Sequence, residues 1–105
     1  MTLTIICPVF NEVGFIGSLL ENLCSDDGID KEIFIVDGGS TDGSKQKVLE
    51  IQKTRKNLFL IDNPKRTSTS AFNIAFKQAK GKYISFVGAH ANYSENYFRT
   101  ALKYL

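Results

Sequence analysis

Polar side chains that could bind a nucleotide follow four apolar stretches of this chain. Asp37 directly ends one stretch and Glu12 follows another, and carboxylates there can accept hydrogen bonds from a nucleobase imide or a ribose hydroxyl. Lys65 and Arg66 precede a segment rich in Ser and Thr, where a guanidinium can bind diphosphate oxygens in a forked geometry. His90, the only histidine, follows the fourth stretch, and a neutral imidazole can bind a divalent metal.

Each of these residues also has a purely structural interpretation. Asp37 could cap the turn over 38–43, and Glu12 could favour the positive end of the first helix. Lys65 and Arg66 could be solvated surface charges, and a single histidine without a second ligand nearby could be a satisfied polar residue. Glycines in the turn could admit a ligand or simply form the turn. The residues alone leave both interpretations open.

The apolar stretches predict strands that alternate with helices. Nearly continuous apolar runs predict strands at 3–10, 32–36, 57–61 and 82–87, and Pro8 is expected to mark the end of the first because it cannot donate to a ladder. Three- and four-residue spacings predict helices from Val13 to about 23, over 44–53, over 71–79 and from Ser94, with their aromatic residues in the core. Asn11 is expected to cap the first helix, and Gly81 to close the third through its freedom at positive φ.

This alternation predicts an α/β fold: Rossmann-like β/α units with a mainly parallel sheet covered by helices. Ligands of such sheets bind beyond the carboxyl ends of the strands, near the point where the strand order reverses. The polar segments are therefore expected on one rim, with Asp37 and His90 converging on a shared crevice.

Composition bounds the remaining possibilities. The 105 residues predict a single domain over 1–105, and the apolar helical stripe that runs to Leu105 predicts a truncated part of a longer protein. A net charge of +2 argues against nucleic acid as a partner. The sequence has no export signal and no apolar run of about 18 residues, which predicts a cytoplasmic chain without a transmembrane segment. Two cysteines predict reduced thiols.

Four blocks of the sequence resemble the family 2 glycosyltransferases, whose nucleotide-sugar domain has the GT-A fold. IICPVFNE at 5–12 is similar to the opening strand signature, and IVDGGSTDG at 35–43 is similar to the second. SAFNIA at 70–75 with AKGKYI at 79–84 resembles the block that leads to the metal motif. FVGAHANY at 86–93 resembles the Asp-Ala-His-Ala variant of that motif in bacterial exopolysaccharide transferases of the succinoglycan type.

The resemblance implies a function for the complete protein and roles for individual residues. The position of Asp37 contacts the base, usually uracil, and the last motif binds ribose and a metal, Mn or Mg. The predicted metal ligand is His90. The predicted nucleotide-binding residues are Pro8, Phe10, Asn11, Glu12, Asp37, Gly39, Ser40, Lys65, Arg66, Gly88 and Ala89.

The reaction implied is transfer of a sugar, with inversion, from a nucleotide diphosphate sugar, UDP-linked in this interpretation, to an acceptor hydroxyl. The acceptor would be a saccharide or a lipid-linked saccharide of a bacterial surface polysaccharide, reached at the inner face of the membrane. The catalytic base is expected beyond residue 105, so this chain alone is expected to be inactive. Asp37→Ala is expected to lower nucleotide affinity at least tenfold and to leave the melting point of the unliganded protein nearly unchanged.

Two positions depart from the family pattern. Gly88 stands where the metal motif has its first Asp, and Gly38 replaces a frequent second Asp after Asp37. These departures keep an alternative open: a degenerate, non-catalytic nucleotide-binding or interaction module. A dinucleotide-binding enzyme is not supported, because 8–12 contains no G-x-G-x-x-G fingerprint.

Overall fold

The computed structural model describes residues 2–24 and 28–88, in which strands and helices alternate. The strands are β1 (Leu3–Val9), β2 (Lys31–Asp37), β3 (Leu58–Asp62) and β4 (Tyr83–Phe86). The helices are α1 (Val13–Cys24), α2 (Ser44–Gln52) and α3 (Ser68–Gln78). The predicted α/β alternation is confirmed, and the helix predicted from Ser94 lies outside the described residues.

The described strands form one parallel sheet in the order β3-β2-β1-β4. β1 and β2 are the central strands, and their residues are almost all buried. This burial on both faces explains why their sequences are nearly continuous apolar runs. The chain order reverses between β1 and β4, so the position at which ligands of open α/β sheets bind lies beside the end of β1.

Helices cover both faces of this sheet because successive strand residues point to opposite sides. On one face, Ile5 and Ile33 pack in a cluster with Leu20 of α1 and Val48 of α2. On the other face, the side chains of β1 and β2 contact α3, where Ala71 is fully buried. Each helix returns the chain to the start of the next parallel strand, so the described strands all end at the same rim.

Not every aromatic residue of the helical stripes belongs to the core. Phe15 of α1 is 48% exposed and Phe76 of α3 is 54% exposed, contrary to the expectation for both. Phe15 flanks the buried side of α1, and Phe76 stacks on Phe72 with ring centroids 5.5 Å apart. The three- and four-residue spacing identifies the stripe correctly but not its edges.

Pro8 does not end β1, which continues to Val9. In a parallel pair a residue bonds to one neighbouring strand only, and Val9 accepts from the Gly38 N–H on the β2 side. Ile6 accepts from the Val87 N–H on the β4 side, and Pro8 faces that same side, beyond the last paired residue of β4. The missing proline donor is therefore harmless there.

Gly81 is required for a reason other than the predicted one. Its φ is not among the positive values, which for glycine occur at Gly39 and Gly43 in the described residues. A Cβ at Gly81 would instead lie 2.5 Å from the backbone nitrogen of Thr4. Close approach of the α3–β4 connection to β1, and not left-handed geometry, demands glycine here.

Among the described helices, none combines the length and the apolar character that a membrane crossing requires. The assignment of 1–105 as one domain of a longer protein stays a prediction.

Candidate functional site

The loops that follow the strands meet at one rim, as the sheet geometry predicts. Val9, Asp37 and Asp62, the last residues of β1, β2 and β3, lie side by side in register. The β1–α1 loop (10–12), the β2–α2 loop (38–43) and the β3–α3 loop (63–67) therefore leave the sheet at the same level. Most of the residues predicted to bind nucleotide stand on these loops.

Asp37 is buried at the end of β2, where its carboxylate organises the turn that follows. Oδ2 accepts from the backbone N–H groups of Gly39 and Ser40, both at 3.0 Å, and Oδ1 accepts from Ser40 Oγ at 2.6 Å. Gly39 supports this turn with φ of 94°. The turn-capping interpretation is therefore confirmed, while the ligand role of Asp37 stays a prediction. Oδ1 retains acceptor capacity, since a carboxylate oxygen can accept more than one hydrogen bond.

These contacts conflict with the expectation that Asp37→Ala leaves the melting point nearly unchanged. Removal of the carboxylate would leave two backbone donors and one hydroxyl of the turn without their acceptor. Unsatisfied donors at a position that is only 2% exposed cost free energy of folding.

Asn11 ties the first two loops together and does not cap α1. It has a φ of 52°, its N–H donates to Ser40 Oγ at 2.8 Å, and its side-chain Oδ1 accepts from the Thr41 N–H at 2.8 Å. The left-handed backbone, which Asn tolerates, directs the amide toward the neighbouring loop. Asn11 and Ser40, predicted separately as nucleotide contacts, are thus brought together by a scaffold contact.

Asp42 of the second loop and Ser44, the first residue of α2, hold the start of α1, a role that the sequence analysis missed. Asp42 Oδ2 accepts from the Val13 N–H at 3.1 Å, and Ser44 Oγ accepts from the Glu12 N–H at 2.8 Å. Asp42 Oδ1 also accepts from the N–H and the hydroxyl of Ser44, at 2.9 and 2.5 Å. The hydrogen bond from the Ser44 side chain, helped by the backbone N–H groups of Ser44 and Val13, lowers the pKa of Asp42. Asp-Gly-Ser before a helix indicates a cap for α2, but no local signal shows that it also reaches α1.

Arg66 crosses the rim from the third loop to the first. It has a φ of 61°, and its guanidinium carbon lies 5.0 Å from the centroid of the half-exposed Phe10 ring. On the way its side chain passes Gly38, where an added Cβ would lie 3.4 Å from Arg66 Cγ. In the described part of the chain the guanidinium itself makes no hydrogen bond, so its donors face solvent.

A crevice of about 310 Å³ opens between the second and third loops. Asp37, Gly39 and Arg66 line it together with Gly38, Lys45, Asp62, Asn63 and Pro64. Lys45 Nζ lies 3.1 Å from Asp62 Oδ1, so this exposed cation is paired with the carboxylate beside it. Buried Asn63 fixes the third loop by accepting from the Ser70 hydroxyl at 2.7 Å.

Lys65 is separated from its neighbour Arg66. It lines a larger groove, of about 670 Å³, that runs along α3 past Thr67, Asn73 and Lys77. The structure therefore brings Asp37, Gly39 and Arg66 to one crevice, with Phe10 beneath the guanidinium, and places Lys65 on the other side of the third loop. Pro8 is half-buried at the end of β1, and Glu12 stands at the start of α1.

The predicted metal ligand cannot be placed, because His90 lies outside the described residues, as does Ala89. The proposed convergence of His90 with Asp37 therefore stays untested. Within 2–24 and 28–88, no group of three His, Cys, Asp or Glu side chains could hold a metal ion. Gly88 offers no ligand, and a Cβ added there would have no atom of residues 2–24 or 28–88 within 4 Å. The described residues alone do not form a metal site.

Comparisons with known proteins identify the family to which this chain is similar. A family model described as glycosyl transferase family 2 matches residues 4–105. Dolichyl N-acetyl-α-D-glucosaminyl phosphate 3-β-D-2,3-diacetamido-2,3-dideoxy-β-D-glucuronosyltransferase of Methanococcus voltae is 34% identical over 96% of this chain and 33% of its own length. Succinoglycan biosynthesis protein ExoA of Rhizobium meliloti is 32% identical over 89% of this chain and 29% of its own.

Solved structures show the same fold with nucleotides bound. The mannosyltransferase PcManGT of Pyrobaculum calidifontis, in complex with GDP-Man and Mn²⁺, superposes on 98% of this chain with a TM-score of 0.90 at 28% identity, and this matches 32% of the mannosyltransferase chain. S. aureus TarS 1-349 in complex with UDP superposes on 99% of the chain with a TM-score of 0.84 at 26% identity, over 32% of its length. The chain spans about a third of the length of these two curated relatives.

Proposed function

Because the chain belongs to glycosyl transferase family 2, we propose that the rim around Asp37 binds the nucleotide of a nucleotide diphosphate sugar, with UDP sugars as the preferred donors. The observation that carries this proposal is the crevice in which a buried carboxylate and an exposed guanidinium lie on the same lining. These two groups match the two ends of such a ligand: hydrogen-bond donors on the base and ribose, and negative oxygens on the diphosphate.

Asp37 would recognise the base or the ribose. Oδ1 accepts a single hydrogen bond from the turn, which leaves it able to accept a donor of the ligand. The burial of the carboxylate strengthens such a bond, because hydrogen bonds to a charged group are stronger where water is excluded. A uracil imide N–H is a donor of the required kind.

Arg66 and Phe10 would form the second part of the site. The guanidinium is held over the Phe10 ring by a cation–π contact, which leaves its N–H edge able to bind phosphate oxygens. The left-handed backbone of Arg66 adds weight to a functional role, since strained residues persist where the surrounding structure holds them and are concentrated at binding sites.

In the complete protein the reaction would be transfer of the sugar with inversion. The acceptor oxygen would form a bond to the anomeric carbon while the bond from that carbon to the diphosphate oxygen breaks, and a base beyond residue 105 would take the acceptor proton. This chain alone would bind the donor without turning it over. Lipid-linked acceptors, at the inner face of the cytoplasmic membrane, fit the dolichyl phosphate-linked substrate named for the Methanococcus relative.

A divalent cation would contribute through His90, with the Mn²⁺ of the mannosyltransferase complex as the supporting comparison. The alternative, a degenerate module that binds nucleotide weakly and without metal, is favoured by Gly88. Gly88→Asp separates the two. The variant should gain metal dependence of nucleotide binding, because it restores the carboxylate of the motif at a position where no described residue would contact the new Cβ. If nucleotide affinity stays indifferent to Mn²⁺, residues 88–90 are not the metal motif.

Thermal unfolding in the presence of nucleotides tests the proposed function. UDP at a hundredfold excess over its Kd should stabilise the fold by about 2.7 kcal/mol, which raises Tm on the order of 10 °C for a domain of this size. GDP, ADP and CDP, each with and without Mn²⁺ or Mg²⁺, provide the comparison. A melting point that no nucleotide diphosphate raises would overturn the proposal.

A further inference from the structure

Three consecutive backbone donors of the β1–α1 segment are all accepted by side chains from another part of the chain. The N–H groups of Asn11, Glu12 and Val13 donate to Ser40 Oγ, Ser44 Oγ and Asp42 Oδ2, at 2.8, 2.8 and 3.1 Å. Donor and acceptor are 29 to 32 residues apart in sequence. The path of the first loop is therefore set by the second.

Two of these acceptors are linked to each other. Ser44 is fully buried at the start of α2, and its hydroxyl donates to Asp42 Oδ1 while it accepts from Glu12. Because the single hydroxyl proton of Ser44 is donated to Asp42, the lone pairs of Ser44 Oγ are left to accept a hydrogen bond from the first loop. Asp42 in turn spans two helix starts, with one oxygen on Ser44 and the other on Val13.

The hydrogen bonds of Asp42 and Ser44 reach beyond the start of α2. Asp42 Oδ1 accepts from the Ser44 N–H at the start of α2, whereas the bonds from the N–H groups of Glu12 and Val13 satisfy donors at the start of α1 and constrain the loop that carries Phe10 and Asn11 to the rim. Phe10 in turn lies under the guanidinium of Arg66. A shift of the first loop would therefore move the ring, and with it the cation that lies on it.

We propose that Asp42 and Ser44 are positioning residues of the nucleotide site: they hold the β1–α1 loop, and through Phe10 they place Arg66 for the diphosphate. This inference rests on the proposed function for its binding part, but the loop restraint itself can be measured without nucleotide. The lowered pKa of Asp42 keeps its carboxylate charged through the neutral range, where it accepts these hydrogen bonds.

The test compares Asp42→Asn and Ser44→Ala with two controls on α2. Glu50→Gln removes the same charge from an exposed position of the helix, and Val48→Ala lowers global stability from the core without removing a hydrogen bond of the loop. Amide hydrogen exchange of residues 11–13 is measured in the unliganded protein, and UDP affinity is measured by titration calorimetry well below the unfolding midpoint.

We expect Ser44→Ala to speed exchange at residue 12 and Asp42→Asn to speed exchange at residue 13, each by about tenfold or more, because that amide loses its acceptor. Both variants should weaken UDP binding by about tenfold. Glu50→Gln should change neither quantity. Val48→Ala should lower the unfolding midpoint and leave UDP affinity within about twofold. Unchanged amide hydrogen exchange at both residues would refute the proposal that Asp42 and Ser44 restrain the β1–α1 loop.

The two proposals fail in distinguishable ways. If the wild-type protein binds no nucleotide, the proposed function fails and the exchange data still decide whether Asp42 and Ser44 restrain the loop. If the wild type binds UDP and the loop loosens in Asp42→Asn without any loss of affinity, the positioning role is refuted and the proposed function stands.

Discussion

Replacement of Asp37 by Asn separates the turn-forming role of this residue from its proposed role in nucleotide binding. In the wild type, Oδ2 accepts from two backbone N–H groups and Oδ1 from the Ser40 hydroxyl. An amide of the same shape keeps one oxygen for the two N–H groups of Gly39 and Ser40. Its NH₂ group can then donate to Ser40 Oγ, which has lone pairs to accept it. Asp37→Asn therefore preserves the turn while it removes the charge and the second acceptor oxygen.

The two substitutions at this position should differ in stability. Asp37→Ala leaves three donors of the turn unpaired, at about 1–3 kcal/mol for each group that water cannot reach. Water will reach part of the opened turn, because Ser40 is half-buried and Gly39 is exposed. We expect a loss of roughly 2–4 kcal/mol for Asp37→Ala and about 1 kcal/mol for Asp37→Asn, measured by urea denaturation.

The affinity for UDP tests whether Asp37 contacts the nucleotide. A hydrogen bond from the nucleotide to a carboxylate contributes about 1.5–3 kcal/mol, so Asp37→Asn should weaken UDP binding roughly 10- to 150-fold in calorimetric titrations. Glu50→Gln is the control. It removes an equal charge from an exposed position of α2 that does not line the crevice, so its effect on UDP affinity should stay within about threefold.

Equal UDP affinity of the wild type and Asp37→Asn would refute the proposed contact between the Asp37 carboxylate and the nucleotide, because the protein would then bind UDP without that carboxylate. Asp37 would be a turn cap alone. A loss of similar size in Glu50→Gln would also count against it, since the effect would then reflect the net charge of the protein and not a specific hydrogen bond.

Two further predictions concern the framework behind the rim. Gly81→Ala should destabilise the fold by roughly 3 kcal/mol, because the new Cβ would lie 2.5 Å from Thr4 N and 2.8 Å from the carbonyl carbon of Leu3, whereas Gly14→Ala, with nothing within 4 Å, should stabilise α1 by about 0.5–1 kcal/mol. Urea denaturation of both variants checks this, and equal stabilities would contradict the close approach. Burial, and then the negative charge of Glu12, raise the pKa of the Cys7 thiol to about 12. Cys7 should therefore resist alkylation at pH 8 and react only on unfolding, and mass spectrometry of labelled peptides would show rapid native-state labelling if this is wrong.

The elements of the fold could be predicted from the sequence because their signals are local. The apolar runs that became β1 and β2 lie at the centre of the sheet, and the spacing of Ile16, Leu19 and Leu23 matches the buried side of α1. The resemblance to family 2 glycosyltransferases is confirmed by the family match over 4–105. The expectation that the polar segments after parallel strands share one rim is confirmed for Asp37 and Arg66, which line one crevice.

The contacts within the site could not be predicted, because they join residues that are far apart in sequence. The spacing from Asn11 to Ser40 carries no periodicity, and the pattern around Asn11 indicates a helix cap as readily as a link between loops. Gly81 shows the same limit: a glycine after a helix suggests a positive φ, and only the sheet reveals that the backbone of Thr4 lies 2.5 Å from where a Cβ would be.

Most of the polar residues that make this rim resemble a nucleotide site are occupied by the scaffold itself. The first two loops are held together by hydrogen bonds from four of these residues, namely Asn11, Ser40, Asp42 and Ser44. What remains for a ligand is an oxygen of Asp37 with spare acceptor capacity and the guanidinium of Arg66 on its aromatic support. The polar residues of these loops therefore act mainly by positioning the few groups that remain able to bind a ligand. It follows that substitutions at the positioning residues should weaken nucleotide binding by displacing Phe10 and Arg66, while substitutions at Asp37 should weaken it by removing a direct contact.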